Sequence, residues 1–257
     1  MRWRLYLTEP LAATENMALD EALMQRARTS GEYVFRAYGW KQPTLSLGRN
    51  QRAVGVFDKA VAARDNVAVV RRLTGGRAVL HHREVTYSVT GPALRGDTLR
   101  SSYAAINQIL LTALRRLGVQ AALAQKKSER FPAPGSAPCF ELPAEGEIIF
   151  GMRKLVGSAQ VREDGAFLQH GSILIDNDQC RVPELSTIPI PPAAPAATLR
   201  EALGKAPSLQ EVARALFAAV RLHVDVEAMA LEPDAELHRA THAARTRYAD
   251  DSWTWRR

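Results

Sequence analysis

The chain has 257 residues, of which 46% are hydrophobic and 24% charged, and its 34 Lys and Arg against 27 Asp and Glu give a formal net charge of +7. That apolar share can bury one large core, or a core with a small appendage, and it excludes a chain that is disordered over most of its length. The two cysteines exclude a disulfide framework, and neither shows a CxxC or Cys/His spacing of the zinc-binding kind.

The positive balance favours an anionic partner. No zinc finger, helix-turn-helix or aromatic-interleaved basic stripe supports nucleic acid, so an acidic protein or a phosphate-bearing substrate is the better expectation. The opening Met1-Arg-Trp-Arg-Leu-Tyr-Leu lacks the apolar run of a signal peptide, and no stretch approaches the roughly 18 apolar residues of a membrane span. A cytoplasmic protein that does not engage a membrane is expected.

In chain order, Glu15 to Ala27 carries apolar residues at helical spacing, with Thr14 placed as a cap. Tyr33 to Gln51 alternates and breaks at Gly39 and Pro43, which predicts two strands. A short helix around Phe57 to Arg64 and a strand through "VAVVRR" follow, and then Ala78 to Thr90 predicts strand, turn and strand. Ser101 to Gly118 has a serine start, an apolar face and a glycine stop, the pattern of a helix. Ala124 to Phe140, rich in proline and mixed charge, predicts a long loop. Glu145 to Ile175 predicts a three-stranded meander with turns at Gly151-Met152 and Glu163-Asp164-Gly165. A connector rich in proline and alanine, Ser186 to Arg200, leads to two further helices.

The stretch "RRLTGGRAVLHH", Arg71 to His82, puts charge and adjacent glycines between two strand-like runs. Gly75-Gly76 either lets backbone amides approach a carbonyl or phosphate oxygen or simply makes a tight turn. Arg71, Arg72 and Arg77 are expensive to bury without an anionic or hydrogen-bonded partner. Lys154, in "RKLVGSAQ", is either an edge-strand lysine pointing to water or a cation that polarises a carbonyl or phosphate oxygen. His81, His82 and His170 fit structural roles as well as acid-base ones. Cys180 reads as structural. Cys139 follows the proline-rich stretch, and a neighbouring cation such as Lys154 or a histidine would make its thiol a nucleophile.

Taken together, "RRLTGGRAVLHHREVTYSV", "RKLVGSAQVREDGAFLQHGSILI", "ENMALDEAL" and "PTLSLGRNQ" resemble the lipoate-protein ligase and octanoyltransferase superfamily, which is related to biotin protein ligases. The resemblance runs from about Trp3 to Ile175, with a looser echo at "RYADDSWTW". It implies an α+β fold with a mixed β-sheet core flanked by helices. It further implies a catalytic core over residues 1–185, with the connector and C-terminal helices of 186–257 packed on the same domain.

Within the superfamily, "TGGRAVLH", "EVTYSV" and "PCFELPAEGEI" are most similar to the cysteine-dependent octanoyltransferases of Gram-positive bacteria. The resemblance implies transfer of octanoyl from acyl carrier protein, through a thioester on Cys139, to a lysine of a lipoyl domain. That domain would be the glycine cleavage H protein or a 2-oxoacid dehydrogenase subunit, and no cofactor or metal would be needed. Lys154 would orient the acyl carbonyl. Substrate would be bound by Arg72, Thr74, Gly75, Gly76, Arg77 and His81 in the first motif, and by Gly157, Ser158, Ala159, Gln160, His170 and Gly171 in the second. His82 departs from the pattern, standing where an aspartate is common. The rival activities are ATP-dependent lipoate ligation, amidotransfer between lipoyl domains, and non-catalytic binding of acyl carrier or lipoyl domains.

Overall fold

The computed structural model describes residues 1–94, 96, 98–125, 145–191 and 194–256. The first half runs β1 (Trp3–Leu7), α1 (Ala13–Ser30), β2 (Tyr33–Tyr38), β3 (Thr44–Leu47), α2 (Lys59–Arg64), β4 (Ala68–Arg71), β5 (Val79–His81), β6 (Glu84–Pro92) and α3 (Leu99–Arg116). The second half runs β7 (Ala121–Leu123), β8 (Ile148–Phe150), β9 (Arg153–Lys154), β10 (Val156–Glu163), β11 (Ala166–Leu174), a 3-10 helix (Gln179–Leu185), α4 (Leu199–Leu203), α5 (Leu209–His223), β12 (Met229–Ala230), α6 (Ala235–Ala249) and α7 (Asp251–Thr254).

The helices begin where local chemistry satisfies their free N–H groups. Thr98 and Ser101 cap α3 reciprocally, and Ser208 and Glu211 do the same for α5. α1 starts earlier than expected, with Ala12 rather than Thr14 at the cap position, and the Glu15 carboxylate accepts the Ala12 N–H at 3.3 Å in place of a hydroxyl cap. Gly31, at φ +67°, ends it.

Six strands form the main sheet in the order β10-β11-β6-β2-β1-β12, with β2 parallel to β1 and antiparallel to β6. Its two faces follow strand alternation. Phe35, Ala37, Val85, Tyr87 and Val89 face α3 and α5, where they form the large core with Ile109, Leu110 and Leu216. The alternate residues of β2 and β6 meet α1: Val34 packs with Leu19 and Leu23, while Arg36, Tyr38 and Ser88 bond Asp20. A second sheet, β4-β3-β5, closes over Leu45, Leu47, Phe57, Leu80 and Val182.

The expected meander is instead two hairpins in different sheets. β8 and β9 turn at Gly151 (φ +61°) and pair with β7 in a third sheet, whereas β10 and β11 turn at Asp164 and Gly165 (φ +49° and +77°) and extend the main sheet. Leu155 is the junction: its N–H donates to Ile148 O at 3.0 Å, and its carbonyl accepts the Leu174 N–H at 3.3 Å. Lys154 therefore sits where the chain changes sheets.

The segment after residue 185 adds β12 to the edge of the main sheet, α5 to its core, and α6 against α1 through Leu237. Most of the predicted proline-rich loop, Cys139 included, lies outside the described residues. Its described flanks are bonded to each other, with Gly146 N donating to Ala124 O and Ala124 N donating to Glu147 O, at 2.9 and 2.8 Å. No described helix is long and apolar enough to cross a membrane.

Candidate active site

A small cavity of about 40 Å3 lies between the main sheet and the second sheet, with Met17 of α1 in its wall. β10 and β11 contribute Gly157, Ser158, Ala159, His170, Gly171 and Ser172. The second sheet and its loops contribute Ser46, Arg72, Gly76, Val79 and His81, and Tyr38, Trp40 and Thr86 complete the lining.

Close backbone approach shapes two of its walls. A Cβ on Gly171 would fall 2.2 Å from Gly157 O and 2.8 Å from the Tyr87 ring, so only glycine lets β11 lie this close to β10. Gly76, at φ +93°, turns the motif loop so that its carbonyl presses against the Cα of Gly48.

The two arginines that open the motif are buried and spend their guanidinium groups on backbone carbonyls. Arg71 donates to Gly48 O (2.6 Å), Gln51 O (2.7 Å), Thr254 O and Arg256 O (both 3.0 Å), tying the motif to the far end of the described chain. Arg72 donates to Ser46 O, Gly75 O and Arg77 O, each at 2.8 Å. At 0% and 4% exposure neither can meet an acidic protein partner, and the carbonyls supply the hydrogen-bonded partners that burying them requires.

Arg72 also donates to two hydroxyls, Ser46 Oγ at 3.0 Å and Thr74 Oγ1 at 3.2 Å. Each hydroxyl lies 2.7 Å from an imidazole Nε2, Ser46 against His81 and Thr74 against His170. Behind them, His81 Nδ1 lies 2.7 Å from Glu84, and His170 Nδ1 lies 3.4 Å from Asp20. An Nδ1 that bonds a carboxylate carries the proton, so in the His170 row, where the ring is neutral, Nε2 accepts and the Thr74 hydroxyl donates. One guanidinium thus orients two hydroxyl-imidazole-carboxylate rows.

Burial holds the His170 imidazole below its usual range against the opposing pull of Asp20, and keeps it neutral. Asp20 stays ionised: burial alone would raise its pKa, but Arg36 at 2.8 Å and the bonds from His170 and Ser88 outweigh it. Glu84 is likewise lowered, because the charge and bond of His81 and the Thr86 hydroxyl overcome its burial. Trp40 closes this corner, stacked on His81 with centroids 4.3 Å apart and donating through Nε1 to Thr86 at 2.7 Å.

At the other side, Ser158 Oγ lies 2.7 Å from Tyr87 OH, which accepts from Gln169 Nε2 at 2.9 Å. Tyr103 of α3 also meets Ser158 and Asn107. Burial raises its phenol, with Glu147 adding to the rise and Lys154 opposing it. Lys154 is buried at 4% exposure and donates from Nζ to Glu147 Oε1 at 2.7 Å. The reading of Lys154 as an edge lysine pointing to water is therefore overturned.

The catalytic-domain model described as "Lipoyl protein ligase A/B catalytic domain" matches residues 12–221. Octanoyltransferase LipM of Brevibacillus brevis is 34% identical over 100% of this chain and 99% of its own length. Octanoyltransferase LipM of Kyrpidia tusciae is 46% identical over 68% of this chain and 67% of its own. The chain belongs to the lipoyl protein ligase A/B family. Among solved structures, protein Ta0514 of T. acidophilum with bound lipoic acid superposes with a TM-score of 0.78, at 21% identity and covering 99% of this chain and all of that one. Lipoate-protein ligase A bound with ATP gives 0.75, at 21% identity and 99% of both chains. The α+β fold, a mixed sheet with flanking helices, is that of the lipoyl protein ligase A/B family.

Of the twelve substrate-binding residues expected in this family member, Arg72, Gly76, His81, Gly157, Ser158, Ala159, His170 and Gly171 line one cavity. Thr74 stands behind His170, and Gly75 and Arg77 offer carbonyls to Arg72. Gln160 is not part of the cavity wall, since its amide donates to Ser102 of α3 at 2.9 Å. His82 is also apart, paired with Asp178 at 2.8 Å, and Cys180 is exposed on the 3-10 helix rather than packed inside. Ser46, Trp40, Asp20, Glu84 and Tyr103 were not foreseen among the site residues. The one available signal was polar residues set in runs that are otherwise apolar, as in "YVFRAY" and "TLSL".

Proposed function

We propose that this chain is an octanoyltransferase of lipoate biosynthesis, working in the cytoplasm. It moves octanoyl from acyl carrier protein to a lysine of a lipoyl domain by way of a thioester on Cys139. The observation that carries this reading is the full-length likeness to an octanoyltransferase, 34% identical over 100% of the chain. The net charge of +7 suits acidic protein partners. Burying seven carbons beyond the carbonyl at about 0.8 kcal/mol each contributes roughly 5 kcal/mol. The polar groups around the chain do not oppose this, since Arg72, Ser46, His81, Thr74 and His170 satisfy one another.

In the first half-reaction the Cys139 thiolate attacks the carrier thioester. A carbon-sulfur bond forms to Cys139, the bond to the carrier sulfur breaks, and the departing thiolate takes up a proton. In the second, the acceptor amine attacks the acyl-enzyme, a carbon-nitrogen bond forms and the Cys139 sulfur leaves. The two protons given up by the lysine ammonium go to that sulfur and to solvent. Thioester to amide is downhill, so the transfer needs no ATP. Lys154 holds the carbonyl oxygen, with amides of Gly157-Ser158 or Gly75-Gly76 assisting. Both described flanks of the segment carrying Cys139 adjoin the Lys154-Glu147 pair.

The test is intact-protein mass spectrometry after mixing with octanoyl acyl carrier protein without ATP. A gain of one octanoyl group is expected, absent in Cys139→Ala, retained in Cys180→Ser and discharged by a lipoyl domain. No adduct, together with ATP-dependent loading of free octanoate or lipoate, would replace this reading with a ligase.

A further inference from the structure

We propose that Ser46, His81 and Glu84 form a second reactive centre in the cavity, which hydrolyses short acyl esters and thioesters. Ser46 is its nucleophile, His81 the general base and Glu84 the positioning carboxylate. This activity lies beyond the acyl transfer proposed above, since it takes nothing from Cys139 and stands on the side chains of three neighbouring strands.

Ser46 Oγ of β3 lies 2.7 Å from His81 Nε2 of β5, and His81 Nδ1 meets Glu84 Oε1 of β6 at 2.7 Å. A hydroxyl, an imidazole and a carboxylate in this order are the parts of an activated serine. Nε2 receives the hydroxyl proton, while the carboxylate keeps the other nitrogen protonated and the ring in place. β3 and β5 are antiparallel neighbours in the second sheet and β6 belongs to the main sheet, so the row spans the seam where the cavity lies. The ring is confined there, with Trp40 stacked on it and Ser172 Oγ 3.2 Å from Nδ1. Arg72 Nη1, which donates to Ser46 Oγ at 3.0 Å, places positive charge beside the oxygen that turns negative as its proton leaves.

The companion row marks the difference between a reactive hydroxyl and a structural one. Thr74, His170 and Asp20 repeat the order, but Thr74 is not part of the cavity wall and its row ends in a carboxylate 3.4 Å from the ring. Ser46 and His81 both line the cavity, so a carbonyl that enters it can meet the Ser46 oxygen. At about 40 Å3 the space holds about three groups the size of water, which suits a short acyl group. In the first step His81 takes the Ser46 proton, Oγ bonds the acyl carbon, and the bond from that carbon to the leaving oxygen or sulfur breaks. The leaving group takes the proton back from His81. In the second step water gives a proton to His81 and its oxygen bonds the same carbon. The bond to Oγ breaks, Oγ recovers the proton and the carboxylic acid departs.

The experiment uses the full chain carrying Cys139→Ala, so that no acyl group can rest on that thiol. The protein is treated at pH 8 with methanesulfonyl fluoride, whose sulfonyl group matches an acetyl group in size, and the modified peptide is located by mass spectrometry. Hydrolysis of p-nitrophenyl acetate is followed alongside. Sulfonylation of Ser46 is expected, together with ester hydrolysis that falls about 100-fold when Ser46→Ala or His81→Gln is added. Glu84→Gln, which removes the charge behind the ring, is expected to lower kcat and leave KM in place. Absence of the adduct, an adduct on another residue, or hydrolysis unchanged in folded Ser46→Ala overturns the proposal. The peptide map needs no change at Ser46, His81 or Glu84, so it decides the matter even where those variants do not fold.

Discussion

The carbonyl oxygen of Gly76 lies 1.9 Å from the point that a Cβ on Gly48 would occupy, and the carbonyl carbon lies 2.9 Å from it. The atoms in the way are backbone, so no rotamer change relieves the contact. Gly48→Ala therefore has to push back the motif loop that forms one wall of the cavity. An overpacking cost of about 1–3 kcal/mol is expected in urea unfolding, together with loss of octanoyl transfer. Gly75→Ala is the control for stability: its Cβ would meet nothing within 4 Å, and its φ is not in the left-handed region, so the same measurement should move by less than about 1 kcal/mol.

Arg72→Lys tests whether the two hydroxyl-imidazole rows depend on one planar fork. A single ammonium cannot serve three carbonyls and two hydroxyls at once, and each buried acceptor left short costs about 1–3 kcal/mol. With partial rescue by Lys, a net loss of about 2–4 kcal/mol is expected. Stability within 0.5 kcal/mol of wild type would show that the fork is dispensable, on the scale of ordinary surface substitutions at about that size.

Acid sensitivity has a definite sign here. His170 has a folded-state pKa below that of an unfolded histidine, about 6.5, so the unfolded chain binds more protons in the window beneath it. The stability that His170 contributes is present above that value and is lost as pH falls through the folded one. Asp20 and Glu84, also depressed, add the same slope only further down, below about pH 4. Unfolding free energies at pH 7.5 and 5.5 should therefore fall more steeply in wild type than in His170→Asn, whatever the offset between the two proteins. Equal slopes would contradict the assignment.

Arg71→Met removes the donor shared by Gly48, Gln51, Thr254 and Arg256 carbonyls. A loss of about 3–5 kcal/mol is expected, since several partly buried carbonyls lose a donor at once at about 1–3 kcal/mol each. The segment around residues 250–256 should also be cut faster in limited proteolysis. An unchanged cleavage rate would mean that the other ties of this segment, Trp253 to Arg71 O and Arg256 to Arg49 O, both at 2.9 Å, are enough to hold it.

Much of this was legible in the residues. The alternation in Tyr33 to Gln51, the serine-to-glycine helix ending at Gly118 and the turn residues Asp164-Gly165 specify local structure through caps and positive φ, and those elements appear where expected. The division of "EGEIIFGMRKLVGSAQ" between two sheets was not, because both hairpins carry the same alternation and the switch at Leu155 is decided by which neighbour is available to bond. Nor was the polar layer. Asp20 sits in "LDEAL", which on periodicity alone points a carboxylate to water. It is buried because β2 offers Arg36 and Tyr38 on the facing side, a match made by tertiary packing.

The reach of Arg71 also bears on how the molecule is made. Its guanidinium is satisfied by carbonyls more than 180 positions downstream, at residues 253 to 256, while its other bonds fix the loop against which Gly76 rests. A chain emerging from the ribosome can form the alternating strands and the capped helices early. The acyl cavity must wait, its wall held by an arginine still short of acceptors, until residue 256 is free to fold back. Synthesis interrupted before that point would leave the Arg71 guanidinium in water and the loop it fixes without its anchor, so this wall of the cavity is assembled last.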